Sequence, residues 1–413
     1  MPAALAPASD LKLNSRQFLR RVNALRRLDN TTNWFYVARE YLYLGLVTGS
    51  ALAFFLLRAD WGYAWLWNIP VSLLAIVLIG AGQHRLTTLG HEASHYMLFR
   101  NRLLNELVSD FLCMFPVWST TQLYRLQHLA HHQFPNDPQR DPDVTQMQAS
   151  GHRFDFPMPP GQFIWECVIK QFLWLPGLIR YIRMRAKFAA TGEGSGPYKT
   201  RKTRAKLLVL VGIVYLALLF TATTGLAYWG NPWLLGLVPV LMWSAAMAFF
   251  GLVPGSYYTW TMIRPDVSPR WTSLGRLTYL TLVTMALGWL TYWTGKPWLA
   301  YYVVLWIVPL LTLFSFFMLL RQIVQHGNAG QERFGNTRIF LINRLIRFAV
   351  FPLGMDYHLP HHLFPLIPHY RLPELHELLL ETDEYRERGT IVEGYFFHRD
   401  PPRHPTVLEV MAR

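Results

Sequence analysis

Five long stretches of the chain are free of charged residues, and their spacing predicts membrane-crossing helices. A span needs about 20 apolar residues. Tyr41–Leu57 is slightly short of that, and Trp61–Gln83 exceeds it. Leu207–Ile263 is long enough for two spans, broken at Trp229-Gly230-Asn231-Pro232, where Gly, Asn and Pro signal a turn. Leu277–Gly295 and Pro297–Leu320 form a last pair around Gly295-Lys296-Pro297. The expected spans therefore lie near 41–57, 61–83, 207–229, 232–253, 277–295 and 297–320, in three hairpins. The fold class expected is an all-α integral membrane protein of about four to six spans with a helical cap.

Other segments read differently. Leu103–Trp118 is apolar but carries Glu106 and Asp110, which suggests a partly buried or re-entrant helix. Gln162–Ile179, with Glu166 and Lys170, reads as an interfacial helix. Thr191–Pro197 reads as a surface loop, and 371–390 as a soluble amphipathic helix. There is no internal repeat of fixed period. Three regions follow: a basic arm (1–40), a membrane domain (41–376) and a tail (377–413).

Composition supports the membrane reading. Only 15% of the 413 residues are charged, against about a quarter in soluble proteins. The net charge of +14 flanks the apolar runs, which fits a membrane surface better than nucleic acid. Arg180–Lys206 holds nine basic residues and one acid, Glu193. Arg264, Arg270, Arg276 and Arg321 lie on the same side by span count, whereas the opposite turns carry only Arg58, Asp60 and Lys296. The basic side is assigned to the cytosol. The setting would be a bacterial inner membrane or an ER-type membrane. Residues 1–40 hold seven basic and three acidic residues without a continuous apolar core. No cleavable signal peptide is expected; an Arg-rich transit peptide is the alternative. Cys113 and Cys167 alone supply neither a disulfide framework nor a thiolate metal site.

The chemistry is carried by histidine. Nine of the fifteen fall at His91-Glu-Ala-Ser-His95, His128-Leu-Ala-His131-His132, His326 and His358-Leu-Pro-His361-His362. An even number of expected spans precedes each cluster, so all emerge on one face, the cytosolic one. Positions i, i+3 and i+4 share a helix face, so each cluster presents its rings together. In the third, Pro360 favours a helix first turn, with His358 just outside it. His84, His152, His369, His376, His398 and His404 are isolated and read as ordinary core or surface residues. Nine imidazoles exceed the coordination of one ion and suit two. All-nitrogen ligation fits iron, copper or zinc. Zinc is redox-inert, and a hydrolytic zinc pair would normally take carboxylate ligands, so iron acting with O₂ is the better chemistry. Glu92, Asp141, Asp143 and Asp356 adjoin the clusters. They would orient ligand rings or serve as surface or capping acids.

These boxes, HxxxH, HxxHH and HxxHH, separated by membrane hairpins, resemble the membrane fatty acid desaturases and their hydroxylase relatives. The resemblance runs from about Leu86 to His376. It is strongest at Gly90–His95, at Gln127–His132 with Asp141-Pro-Asp143, and at His358–Pro365. It implies that His91, His95, His128, His131, His132, His358, His361 and His362 ligate two iron ions with O₂ as co-substrate, and that His326 completes the set. Gln322 stands where the family often has an asparagine holding a metal-bound water. Three residues between His91 and His95 match relatives acting on lipid-linked acyl chains or sphingolipids, not the four typical of acyl-CoA enzymes. His84-Arg85-Leu86 is similar to an acyl-CoA motif but displaced from the box. A third box opening on His, not Gln, disfavours the front-end class. No His-Pro-Gly-Gly haem motif is present, so electrons would come from a separate ferredoxin or small cytochrome with its reductase, docked on the basic face. The expected activity is acyl-lipid desaturation, with the acyl chain in a tunnel lined by aromatics such as Tyr257-Tyr258 and Phe314–Phe317. Two rivals stand beside it: a lipid, sphingolipid or carotenoid hydroxylase or ketolase sharing every ligand, and a metal transporter or sensor. The second is disfavoured because the spans Leu207–Ile263 and Pro297–Leu320 lack charge and histidine.

Overall fold

A computed structural model describes residues 12–191, 198, 204–259, 261–398 and 400–412. Its main helices in chain order are α1 (Arg16–Leu25), α2 (Thr32–Leu57), α3 (Asn68–Ser94), α4 (Arg102–Val108), α5 (Thr121–Gln133), α6 (Pro142–Ser150) and α7 (Leu175–Thr191). They continue with α8 (Ala205–Trp229), α9 (Pro232–Leu252), α10 (Pro269–Thr294), α11 (Trp298–His326), α12 (His358–Leu363), α13 (Leu372–Leu380) and α14 (Val407–Ala412). Two short strands, β1 (Arg338–Leu341) and β2 (Thr390–Glu393), pair in parallel with Arg338 opposite Thr390. The loop expected at Thr191–Pro197 lies outside the described residues after its first position.

Among the described residues, five helices are long and apolar enough to cross a bilayer: α2, α3 with its leading turn from Trp65, α8, α9 and α11. The sixth expected span, 277–295, falls in α10. This helix has 26 residues and lies against both α8 and α9. Its apolar run is diluted by threonine, which is why it stands apart from the five. The hydroxyls of Thr281, Thr284, Thr291 and Thr294 each donate to the carbonyl four residues back, at 2.6–2.9 Å. They are thereby satisfied within the helix.

Local sequence explains the hairpins. Gly230 closes α8 at φ +79, a left-handed position glycine occupies without Cβ strain. Asn231 then caps α9 by accepting from Leu234 N at 3.0 Å, and Pro232 supplies the first helical position. The α2–α3 hairpin is tied by the Tyr43 hydroxyl, which donates to Leu78 O at 3.0 Å. Where α3 meets α11, Gly80 removes the side chain: a Cβ there would lie 2.7 Å from Leu313 Cβ and 3.0 Å from Phe314 N. Backbone cannot yield as a flexible side chain does, so Gly80→Ala should cost about 1–3 kcal/mol of stability. A lowered thermal unfolding midpoint in detergent checks this, and an unchanged midpoint would contradict it.

The remaining elements form the cap beyond the helix ends. The interfacial helix expected over Gln162–Ile179 is interrupted at Trp174, where Leu175-Pro176 restarts the chain as α7. Pro176 lacks the N–H that would continue the first helix. The segment 371–390 forms two helices, α13 and Asp383–Arg388. The described residues of the tail pack into the cap: β2 pairs with β1, and Val407 and Met411 of α14 are fully buried in the same core cluster as Leu319, Ile323 and Phe340. Arg338 of β1 fixes the end of α11. Its guanidinium donates to Val324 O (3.1 Å), Gly327 O (2.6 Å) and Asn328 O (3.2 Å), covering carbonyls left open where the helix stops.

Candidate metal centre

Four helix ends converge on one point. The last turn of α3 brings His91, with His95 capping its end, and α5 brings His128, His131 and His132. α11 ends on His326, and α12 carries His358, His361 and His362. α12 begins at His358, two residues earlier than the sequence suggested. Pro360 still sits in its first turn, where its missing N–H leaves no carbonyl unpaired.

The nine rings separate into two groups. His91, His95, His128, His132 and His361 form one; His131, His326, His358 and His362 form the other. Within each group the facing ligand atoms lie within 4.8 Å of one another. The His128–His132, His132–His361, His326–His358 and His358–His362 Nε2 pairs are 3.0, 3.1, 2.9 and 3.2 Å apart. Nitrogens on a common first-row ion are spaced about 3 Å apart. His91 Nε2 and His95 Nε2 are buried with no hydrogen-bond partner. Orphaned buried acceptors are costly unless a cation takes their lone pairs. On both counts the residues fit two metal ions, one per group.

The protonation states agree. Burial, followed by the neighbouring imidazoles, pushes His95, His128, His132, His361 and His362 well below the ordinary histidine range. His358 is lowered in the same way. Neutral rings are the ligating form. His131 is the exception: burial opposes its charge, but Asp141 outweighs burial and raises it to about 9. His131 Nδ1 donates to both Asp141 oxygens at 3.0 Å, so Nε2 is the atom that would ligate, once its proton has left.

The surrounding carboxylates have distinct placements. Asp141 also accepts from Asn136 N and Asp143 N, so its orientation is fixed by the start of α6. Glu92 Oε1 is 3.4 Å from His91 Nδ1, and Glu92 Oε2 accepts from His369 N at 2.8 Å. Asp143 lines a cavity beside the rings. Asp356 pairs with Arg347 at 2.8 Å and meets no ligand ring by hydrogen bond. Gln322 accepts from the Tyr181 hydroxyl at 3.0 Å and keeps its Nε2 unpartnered beside the rings. If Asp141 holds His131 in register, Asp141→Asn should weaken metal binding about 10- to 100-fold. Metal content after graded chelator dialysis reads this out; wild-type retention would remove Asp141 from that role.

Several contributors carry no local signal in the sequence. His369, isolated in the chain, holds Glu92 through its backbone and contacts Asn33 Oδ1 at 3.1 Å. Asn336 O accepts from His326 Nδ1 at 3.0 Å. In His84-Arg85-Leu86, His84 Nδ1 meets Ala349 O at 2.7 Å, and Arg85 pairs with buried Glu40 at 2.5 and 2.7 Å. Of the aromatics considered for a tunnel, Tyr258 is buried in the α8–α10 core, and Phe314 packs with Val117, Leu310 and Met318.

Comparison with known proteins extends the geometry. A family model described as fatty acid desaturase matches residues 67–262 and 240–393. A dihydrorhizobitoxine desaturase of Bradyrhizobium elkanii is 25% identical over 95% of this chain and 88% of its own. A Delta 8-(E)-sphingolipid desaturase of Emericella nidulans is 27% identical over 35% of this chain and 24% of its own.

Proposed function

We propose, from the premise that the chain belongs to the fatty acid desaturase family, an O₂-dependent introduction of a carbon–carbon double bond into an aliphatic chain, with the acyl chain of a lipid as the expected substrate. The oxidoreductase class follows from the family and its named relatives. The observation that carries the finer reading is the division of nine imidazoles into groups of five and four, each drawn from distant parts of the chain. Two iron ions held there would supply the oxidising power to remove hydrogen from an unactivated C–H bond, which no side chain does alone. The first group would hold one through His91, His95, His128, His132 and His361; the second would hold the other through His131, His326, His358 and His362.

The rest is done by the chain itself. Asp141 and Asn336 fix the tautomers of His131 and His326 by accepting from their Nδ1 atoms. The cap covers the rings and limits water, leaving His91, His95, His131, His358 and His361 each under 5% exposed. Positioning one carbon pair at the centre converts a difficult encounter into a local step. We place the site on the cytosolic face of a multi-pass membrane protein, supported by the basic flanks of the spans, and assign electron supply to a separate ferredoxin or small cytochrome.

Expression in a host of defined lipid content, with mass spectrometry of lipids and of polar metabolites, tests the reading. A product two hydrogens lighter than its precursor, formed only with iron and oxygen, is expected. A product gaining one oxygen atom would assign the hydroxylase reading instead. Purified protein that retains zinc and forms neither product would overturn both.

A further inference from the structure

Beside the histidine rings lies a cavity whose wall is not that of an alkyl tunnel. Its lining brings His91, His128, His131, His326 and His358 together with Arg185, Arg321, Gln127 and Gln322. Donors dominate it. Arg321 makes no hydrogen bond or ion pair among the described residues, and its Nη1 is enclosed without a partner. Gln127 Nε2 and Gln322 Nε2 are likewise buried and unpartnered, and Gln322 is 8% exposed. Arg185 lies against the Tyr181 hydroxyl. Asp143 is the one carboxylate in the lining, facing two guanidiniums. Ligation by neutral imidazole brings no negative charge, so bound metal would leave this wall still short of anions. Buried donors and unpaired buried cations are expensive unless a ligand completes them.

A second, larger cleft adjoins the cavity. About 40 Å³ lies between these side chains, too little for an extended chain. Gln322 and His326 also line a neighbouring cleft of about 380 Å³, with Asn136, Arg153, Asp155 and Asn328. That cleft opens at the cap end of α11, where the chain leaves its last span. A donor-lined pocket beside a cleft that also takes Val144, Met147, Phe154 and Phe156 into its wall suits a substrate with an anionic end and an apolar remainder.

We propose that Arg185 and Arg321, with the amides of Gln127 and Gln322, bind the free carboxylate of the substrate next to the metal centre, its remainder lying in the cleft. This rests on the desaturase reading and narrows its substrate from an esterified acyl chain to an uncapped carboxylic acid. A guanidinium and a carboxylate match in charge and in planar donor geometry, and the carboxylate would fix which carbons face the rings.

The test uses full-length, iron-loaded protein in nanodiscs and equilibrium dialysis of radiolabelled hexanoate, with hexanamide as the uncharged isostere. Hexanoate should bind at least 10-fold more tightly than hexanamide. Arg321→Gln and Arg185→Gln should each weaken hexanoate about 10- to 100-fold, the range for a charged hydrogen bond, and leave hexanamide unchanged. Palmitate supplied in the nanodisc distinguishes the sources. The same arginine dependence with palmitate identifies a membrane-held free acid, and its absence alongside hexanoate binding identifies a water-soluble one. Equal binding of hexanoate and hexanamide by the wild type overturns the proposal even if a variant fails to fold, as does hexanoate affinity unchanged in both folded variants. Iron content on the same samples separates the two readings. Charge discrimination lost with iron in place removes the carboxylate site alone, whereas discrimination retained in protein that never takes up iron removes the metal assignment alone.

Discussion

His361→Ala should yield protein that inserts and stays helical but forms less than about 1% of the wild-type product and has lost an iron. His361 is fully buried. Its ring centre lies 4.7 Å from that of His91 and 4.8 Å from those of His95 and His132. It is the member of its group, among the described residues, that α12 supplies, so its loss leaves that group with rings from α3 and α5 alone. Loss of an outer partner such as Asp141 weakens metal about 10- to 100-fold, and loss of a direct ligand should exceed that. Elemental analysis per chain, with product assay on the same preparation, decides the matter. Two irons and full product in His361→Ala would show that this ring is not a ligand.

Arg125→Ala should be the most destabilising single change near the site, although Arg125 faces no metal. It is fully buried on α5, three residues before His128. Its guanidinium donates to Ser94 O (3.0 Å) and Ala93 O (2.8 Å), carbonyls of the last turn of α3, where His91 and His95 sit. It also donates to Gln122 Oε1 (2.9 Å), forms a two-pronged pair with Glu106, and lies 3.9 Å from the centre of the Tyr96 ring. Truncation strands Glu106, itself 2% exposed, as an unpaired buried charge. Breaking such a pair costs about 3–5 kcal/mol, a large part of the roughly 5–15 kcal/mol that stabilises a typical domain. A sharp fall in the unfolding midpoint is expected. The double change Arg125→Met with Glu106→Leu should recover part of it, since an apolar pair leaves no stranded charge. A single variant as stable as wild type would refute the account.

The sequence made the clustering of the nine histidines legible because each box repeats at helical spacing, and helical spacing is local. His91 and His95, or His128 and His132, would face together on any helix. The division into five and four was not legible. His361 joins a group with α3 and α5, while its neighbour His362 joins His131 and His326; that is decided by how α12 crosses the others. Hairpin turns were equally readable at Trp229–Pro232, where each residue has one conformational task. The count of spans was less so, because threonines that bond their own helix are polar in composition yet cost little when buried. The start of α12 was misplaced by two residues because a proline is tolerated at any position of a first turn. His369, Arg125, Arg185 and Arg321 were invisible as parts of the site. Each acts on residues far along the chain, and no spacing rule links one arginine of the basic run on α7, or Arg321 on α11, to a histidine on α3.

The pairing of β1 with β2, and the burial of Val407 and Met411 beneath the end of α11, set an order of events during biosynthesis. All nine imidazoles precede residue 363 in the chain, but the scaffold that steadies His326 is finished only by residues 390–412. The helical hairpins can therefore be delivered into the bilayer while the nascent chain still lacks the pieces that close the cap. Under the proposed two-metal reading, metal would then be acquired at a late, post-translational stage, and a polypeptide stopped shortly after the third box should insert without it.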